Sequence, residues 1–233
     1  MTQRLIGIVV AMESELKPIL EDVAPYKIYN YLDRIFYVSK KAIAVQSSVG
    51  EISSASATES LVAYAAAHNI SISKILNVGI CGSLKMDKYS IGDILIVESV
   101  CHYDFDLSPH DPVKPGEYPN MTDAYFDLDV SSQEKLINEF GAAKLVRCAS
   151  GDKFIANKVD QDRLVKEFNA DICDMELAGI VITAKLHHIP VAAIKSVSDI
   201  AGADNQQKNY CQGKQNAISN YRNAVKLIIN QEV

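Results

Sequence analysis

The sequence predicts an α/β fold, a mixed sheet covered by helices. Three observations carry this expectation. Short apolar runs such as Leu5–Val10 (LIGIVV), Lys74–Val78 and Val191–Ser196 recur along the chain and read as strands buried on both faces. Stretches of helical apolar spacing alternate with them, for instance Leu177, Ile180, Val181 and Ala184. Two of the apolar runs end abruptly in carboxylates, one at Asp174 and Glu176 and the other at Asp199. Open α/β sheets bind ligands beyond the carboxyl ends of their strands, so these endings mark a candidate site.

Taken in order, Leu5–Val10 is a first strand and Glu13–Leu20 a helix with acidic residues in its first turn, where the helix dipole favours them. Pro18 obscures where that helix begins, because proline is best tolerated in a first turn. Lys27–Tyr31, Arg34–Ser39 and Lys41–Gln46 are rich in aromatic and β-branched residues, and the polar breaks between them fit tight antiparallel connections. Ser47–Glu51 opens an Ala-rich helix that runs to about His68. The strand at Lys74–Val78 runs into Gly79-Ile80-Cys81-Gly82, and Ile94–Val100 is another strand after a turn. Cys101–Asp123 holds four of the seven prolines and reads as a long functional loop. A helix follows at Ser131–Phe140, a strand at Leu145–Ala149, and helices at Val159–Phe168 and Glu176–His187. Val191–Ser196 is the last strand, Ala201–Gln215 is polar and loop-like, and a closing helix carries Ala217, Ile218, Tyr221, Ala224, Val225 and Ile228 as an apolar stripe. No repeat, low-complexity segment or linker divides the 233 residues, so one domain spanning 1–233 is expected.

Bulk properties narrow the function. Hydrophobic residues make up 48% and charged residues 22%, enough for a sizeable core. A net charge of -6 argues against nucleic acid as a partner, which calls for a basic face. No apolar run approaches the length that spans a bilayer, and no membrane partner or signal peptide is expected. Five cysteines without a CxxC pair point to reduced thiols in a cytoplasmic protein. Cys81, Cys148 and Cys173 sit in apolar or Gly-rich surroundings and read as small core residues. The five histidines show no metal-ligand spacing, so neither a metal nor a cofactor is expected.

The candidate site gathers at five junctions: Ala11-Met12-Glu13-Ser14-Glu15, Gly79–Gly82, Ser150-Gly151-Asp152-Lys153-Phe154, Met175-Glu176, and Ser196-Val197-Ser198-Asp199. Each alone is ordinary turn chemistry; Asp199 could cap a turn and Glu176 could open a helix. Together they describe a pocket of glycines, carboxylates and a few apolar side chains. Glycine suits a place where backbone approaches a ligand closely.

With these segments in order, IGIVVAMESE, NVGICGSL, GDILIV, SGDKFI, DMELAGI and SVSDIAG, the chain resembles the 5′-methylthioadenosine/S-adenosylhomocysteine nucleosidases of the purine nucleoside phosphorylase superfamily. The resemblance runs from end to end. It implies a three-layer α/β/α sandwich with a central mixed sheet, a homodimer, and hydrolysis of the N-glycosidic bond of adenine nucleosides. It further implies that Asp199 donates a proton toward N7 of the departing adenine, steadied by Ser198, and that Glu15 activates the attacking water. Glu176 would bind the ribose hydroxyls with Met175 packed on the sugar. Phe154 would stack on adenine and the backbone of Ile155 would read its edge. Met12, Val49, Ile80, Cys81, Gly82, Lys195, Leu107 and Tyr210 complete the expected substrate-binding set, Tyr210 as an aromatic lid. The residue types suit the chemistry. Adenine leaves well only when protonated, and a sugar turning cation-like is stabilised by carboxylates. An aspartate acting as an acid at neutral pH must be raised by burial or by a neighbouring charge.

Two positions depart from the nucleosidase pattern. Ile80 stands where a small hydroxyl residue is usual, and Lys195 stands where arginine is usual. Lysine keeps the charge but loses the planar fork. Two other readings remain. A phosphorylase would need arginine and backbone donors for phosphate, yet Arg4, Arg34, Arg147, Arg163 and Arg222 all lie outside the site loops. A nucleoside sensor without turnover would have no need of both an acid and a base.

Overall fold

The computed structural model describes residues 3–231, apart from 120, 122, 132 and 141–143. The expected helix at Ser131–Phe140 therefore has Ser132 outside the described residues. The elements are β1 (Gln3–Val10), α1 (Glu13–Val23), β2 (Tyr26–Tyr31), β3 (Arg34–Ser39), β4 (Ala42–Gln46), α2 (Glu51–Ala67), β5 (Ile70–Ser83), β6 (Ile94–His102) and β7 (Tyr125–Asp127). They continue with α3 (Gln133–Phe140), β8 (Lys144–Ser150), α4 (Lys158–Phe168), β9 (Ile172–Asp174), α5 (Leu177–Leu186), β10 (Val191–Ile200) and α6 (Gln206–Gln231).

The strands form one mixed sheet in the order β10-β6-β8-β9-β5-β1-β4-β3-β2, with β7 added on β6. β10 also pairs with β5, so the β5-β9-β8-β6-β10 end closes on itself and the remaining strands extend from it. Alternation along β1 explains the layers. Leu5 and Val9 pack into a core with Leu61 and Tyr64 of α2 and Ile180 and Val181 of α5. Ile6, Ile8 and Val10 point the other way, into a core with Leu16 and Ile19 of α1 and Tyr221 and Val225 of α6. Helices thus cover both faces, as a three-layer α/β/α sandwich requires. Tyr29, Tyr31 and Phe36 belong to sheet packing around Tyr64, and Phe36 stacks on it at 4.9 Å. Leu32 and Asp33 join β2 to β3 with positive φ at both positions, the two-residue turn that matches strand twist.

Four segments differ from expectation. β5 does not stop at Val78 but continues through Gly79–Gly82, because it finds partners on both sides: Gly79 opposite Lys195, and Gly82 opposite both Asp199 and Cys173. β10 likewise runs through Asp199, with a register shift between Val197 and Asp199. Such a bulge re-aims side chains. Finally, α6 begins at Gln206, inside the segment expected to be a loop. Gln206 and Gly213 are buried and Tyr210 half-buried, at helical spacing. Polar, small and aromatic residues on that face conceal the periodicity. β7 was not expected at all; its three residues carry too little pattern.

Candidate active site

The ends of β1, β5, β9 and β10 and the N-termini of α1 and α5 surround a cleft of about 610 Å³. Every expected site residue lines it except Lys195 and Leu107: Met12, Glu15, Val49, Ile80, Cys81, Gly82, Phe154, Ile155, Met175, Glu176, Ser198, Asp199 and Tyr210. Ala11, Lys153, Cys173, Asp174 and Gln206 line it as well.

Glu15 sits in the first turn of α1, three residues past Met12, and is 1% exposed. Its Oε2 accepts the Met12 N–H at 2.9 Å, the reach-back of a capping box. Its Oε1 accepts the Ile80 N–H at 3.0 Å. Burial raises its pKa, and those two donors with the Lys195 and Lys214 ammonium groups pull the other way. The unusual side chain at Ile80 is thus bypassed, since the backbone makes the contact. Gly79 has a stated reason to be glycine: a Cβ there would lie 3.1 Å from Glu15 Oε1 and 3.6 Å from Lys195 Nζ.

Asp199 is 2% exposed and lies across the cleft. Its Oδ1 accepts the Ser198 hydroxyl at 2.5 Å and its Oδ2 the Gln206 amide at 2.7 Å. Burial raises its pKa against these two bonds, and no cation among the described residues acts on it. Gln206 also donates to the Ile155 carbonyl at 2.8 Å and accepts the Gly202 N–H at 2.9 Å, so it locks Asp199 to the loop that carries Phe154. Sequence reasoning missed Gln206 because the segment read as loop; its seven-residue distance from Asp199 gains meaning only once α6 is known to start there. Phe154 is 48% exposed and meets Tyr210 edge-on at 6.0 Å, forming the rim of the cleft.

Glu176 is the N-cap residue of α5, yet its side chain makes no capping bond and faces the cleft. Burial first, then the Asp174 charge, pushes it up to about 8. Lys195 is not on the lining. It is 1% exposed, and its Nζ lies 2.5 Å from Asp174 Oδ2, behind the cleft wall. The Asp174 and Glu176 charges raise its pKa although burial opposes them. Lys195 therefore acts through Asp174 rather than on a ligand, and one lysine suffices because it meets a single carboxylate oxygen. Asp174, one of the carboxylate endings in the sequence, is both part of the lining and the partner of this ion pair. Leu107 is the second correction. Within one chain its loop folds on itself: the His110 N–H donates to the Leu107 carbonyl, and Phe105 stacks on Tyr118 at 4.0 Å. Neither Phe105, Leu107 nor Pro119 reaches the cleft.

The thiols of Cys81, Cys148 and Cys173 are buried, and burial pushes their pKa values up. Among the described residues no cluster of three or more His, Cys, Asp or Glu could hold a metal ion. Nor is any helix long and apolar enough to cross a membrane. The arrangement places four buried carboxyl groups, those of Glu15, Asp174, Glu176 and Asp199, around a single cleft.

Comparison with known proteins agrees with this geometry. The chain is 30% identical over 205 residues to an aminodeoxyfutalosine nucleosidase of Helicobacter pylori, covering 84% of this chain and 86% of that one. It is 28% identical over 234 residues to a 5′-methylthioadenosine/S-adenosylhomocysteine nucleosidase of Oceanobacillus iheyensis, covering 97% of each. A crystal structure of the Helicobacter pylori 5′-methylthioadenosine/S-adenosylhomocysteine nucleosidase superposes with a TM-score of 0.86 at 25% identity, over 100% of this chain and 99% of that one. The family model described as the phosphorylase superfamily matches residues 5–230, and the chain belongs to that superfamily.

Proposed function

We propose that the protein is an N-glycosyl hydrolase that releases adenine from 5′-modified adenine nucleosides such as methylthioadenosine, S-adenosylhomocysteine and 5′-deoxyadenosine. The observation that carries this is the difference between the carboxylates around one cleft. Asp199 is buried with only side-chain partners and no cation, which suits a proton donor. Glu15 takes two backbone N–H groups and faces two lysines, which suits a base. In the step itself, Asp199 protonates N7 of adenine as the bond from the sugar to the base breaks. Glu15 takes a proton from the water that attacks the anomeric carbon from the other face. Glu176 binds the ribose hydroxyls, and the ionised Glu15 carboxylate stabilises the sugar as it turns cation-like. Phe154 and Tyr210 hold the base at the rim.

Relatives named aminodeoxyfutalosine nucleosidase add that nucleoside to the candidates. A phosphorylase reading is not favoured: no arginine lines the cleft, and Glu15 occupies the nucleophile side. The reading also takes the protein to be cytoplasmic and to work as a homodimer, whose second copy would bring Leu107 toward the cleft. Exposed Val49 and Ile52 near the cleft support such a contact, and the mass in solution checks it.

Adenine release is the direct test. Release from methylthioadenosine in phosphate-free buffer is expected, with Asp199→Asn at least about 10²-fold slower. Strict phosphate dependence, or inosine turnover above every adenine nucleoside, would sink the reading.

A further inference from the structure

Glu51 and Ser150 lie outside the cleft and serve no step of that reaction, yet they hold residues that do. The first N–H groups of a helix have no partner within it. In α5 two of them are taken by other elements. The Ala178 N–H donates to Ser150 Oγ at 3.1 Å, and the Gly179 N–H donates to Glu51 Oε2. The Ser54 hydroxyl donates to the Glu176 carbonyl at 2.8 Å, and the Gly50 N–H reaches Glu176 Oε1 at 3.4 Å. Gly179 makes this approach possible, since a Cβ there would lie 2.4 Å from the Glu51 carbonyl oxygen. With its helix capped from outside, Glu176 is free to turn its carboxyl group to the cleft.

The hydrogen count around Ser150 then locates a proton. Ser150 Oγ lies 2.5 Å from Asp174 Oδ1, contacts Glu51 Oε1, and receives the Ala178 N–H. A hydroxyl has one hydrogen and two lone pairs. It can donate to only one of the two carboxyl groups, so the other must bring its own proton. Asp174 is bound on its second oxygen by the Lys195 ammonium, with both side chains 1% exposed. Asp174 is therefore the carboxylate, and the proton belongs to Glu51.

We propose that Glu51 is a protonated carboxyl group that donates to Ser150 and accepts from Gly179, and that it is the positioning residue that caps α5 in place of Glu176. The functional part rests on the reading of Glu176 as the ribose-binding group; the location of the proton does not. The charged and titratable groups facing Glu51 are Asp174 beyond Ser150, Lys195 behind Asp174, Glu176 at the α5 N-cap, Asp152, which accepts the Glu51 N–H, His102, which pairs with Asp104, and Tyr118, whose hydroxyl meets His102. Burial and then the Asp174 charge push Glu51 up to about 7, with the Ser150 and Gly179 hydrogen bonds and then His102 opposing. The proton is therefore present at mildly acidic pH and leaves as pH rises.

Two measurements decide the matter. The infrared difference between wild type and Glu51→Gln at pH 6 should show one protonated-carboxyl C=O band in the wild type that the variant lacks. Glu51→Ala should lower kcat/KM on the order of 10²-fold by misplacing Glu176, and Glu51→Gln should restore most of that loss. An amide can still donate to Ser150 and accept from Gly179. The wild type is expected to lose activity as pH rises through about 7, and the restored variant should lack that decline. An absent band overturns the proposal. So does a folded Glu51→Gln as impaired as Glu51→Ala. If wild type releases no adenine, the functional reading fails, and the band alone still decides the proton. If Glu51→Ala does not fold, the wild-type and Gln pair gives the same decision.

Discussion

The N-termini of α1 and α5 face the same cleft, and each delivers a glutamate to it by a different route. At α1 the glutamate caps its own helix: Glu15 reaches back three residues to Met12 and spends its other oxygen on Ile80. At α5 the glutamate caps nothing, and Ser150, Glu51, Ser54 and Gly50 come from elsewhere in the chain to hold its corner. One end is a local device and the other a tertiary one. The cost of disturbing each should differ accordingly, in activity at the first and in stability at the second.

The largest effect is expected at the local end. Glu15→Gln should lower kcat by roughly 10²–10⁴-fold, the range of general base catalysis. Its single amide oxygen can serve only one of the two backbone donors, so stability should fall by about 1–3 kcal/mol. A variant that keeps wild-type kcat in an adenine-release assay would remove Glu15 from the chemistry.

Next comes the ion pair behind the tertiary end. Lys195→Met leaves the Asp174 charge buried without its partner, which costs about 3–5 kcal/mol. For a chain of this length that is a drop in Tm on the order of 10 °C. The matched change at the other end, Lys214→Met, removes a half-buried ammonium that lies 3.1 Å from the Met12 sulfur, over the Tyr210 ring and within the field of Glu15, with no ion pair at contact distance among the described residues. It should lower stability by about 1 kcal/mol or less, a Tm shift of a few °C at most. Calorimetry on the two variants compares the ends directly; equal shifts would show that the α5 corner is no more dependent on its partners.

The last comparison is a slope with pH. Glu176 lies at about 8 and Glu51 at about 7 in the fold, against 4.5 for an ordinary glutamate. Between those values the folded protein keeps protons that the unfolded chain has released. Stability contributed this way is greatest at low pH and is lost as pH rises from about 5 to about 8, at up to roughly 1.4 kcal/mol per unit for each group. Urea unfolding across that range should show the decline, and Glu176→Gln should flatten it. A wild-type slope no steeper than that of the variant would contradict the protonated α5 corner.

The same two ends mark how much was legible beforehand. Glu15 stands three residues from its cap in an acidic first turn, a spacing visible in the string AMESE. The apolar runs, the alternation with helices and the carboxylate endings were readable because they are local periodicities of two and 3.6 residues. The family motifs fixed the order of the site loops, and all but two of the expected residues meet around the cleft.

What the sequence by itself determined, then, is the fold class and the places where chemistry gathers, since these follow from short-range pattern. Only the tertiary structure decided where β5 and β10 end, because their last residues are strands solely by virtue of their neighbours. It decided that Lys195 lies behind the wall and not on it, since strand register and a bulge, not residue type, set which way a side chain points. It also brought Gln206 to Asp199 and Glu51 to α5, across seven residues and 128 residues of chain. Hydrogen bonds at such distances leave no periodic trace in a sequence, because either partner alone is an ordinary polar residue.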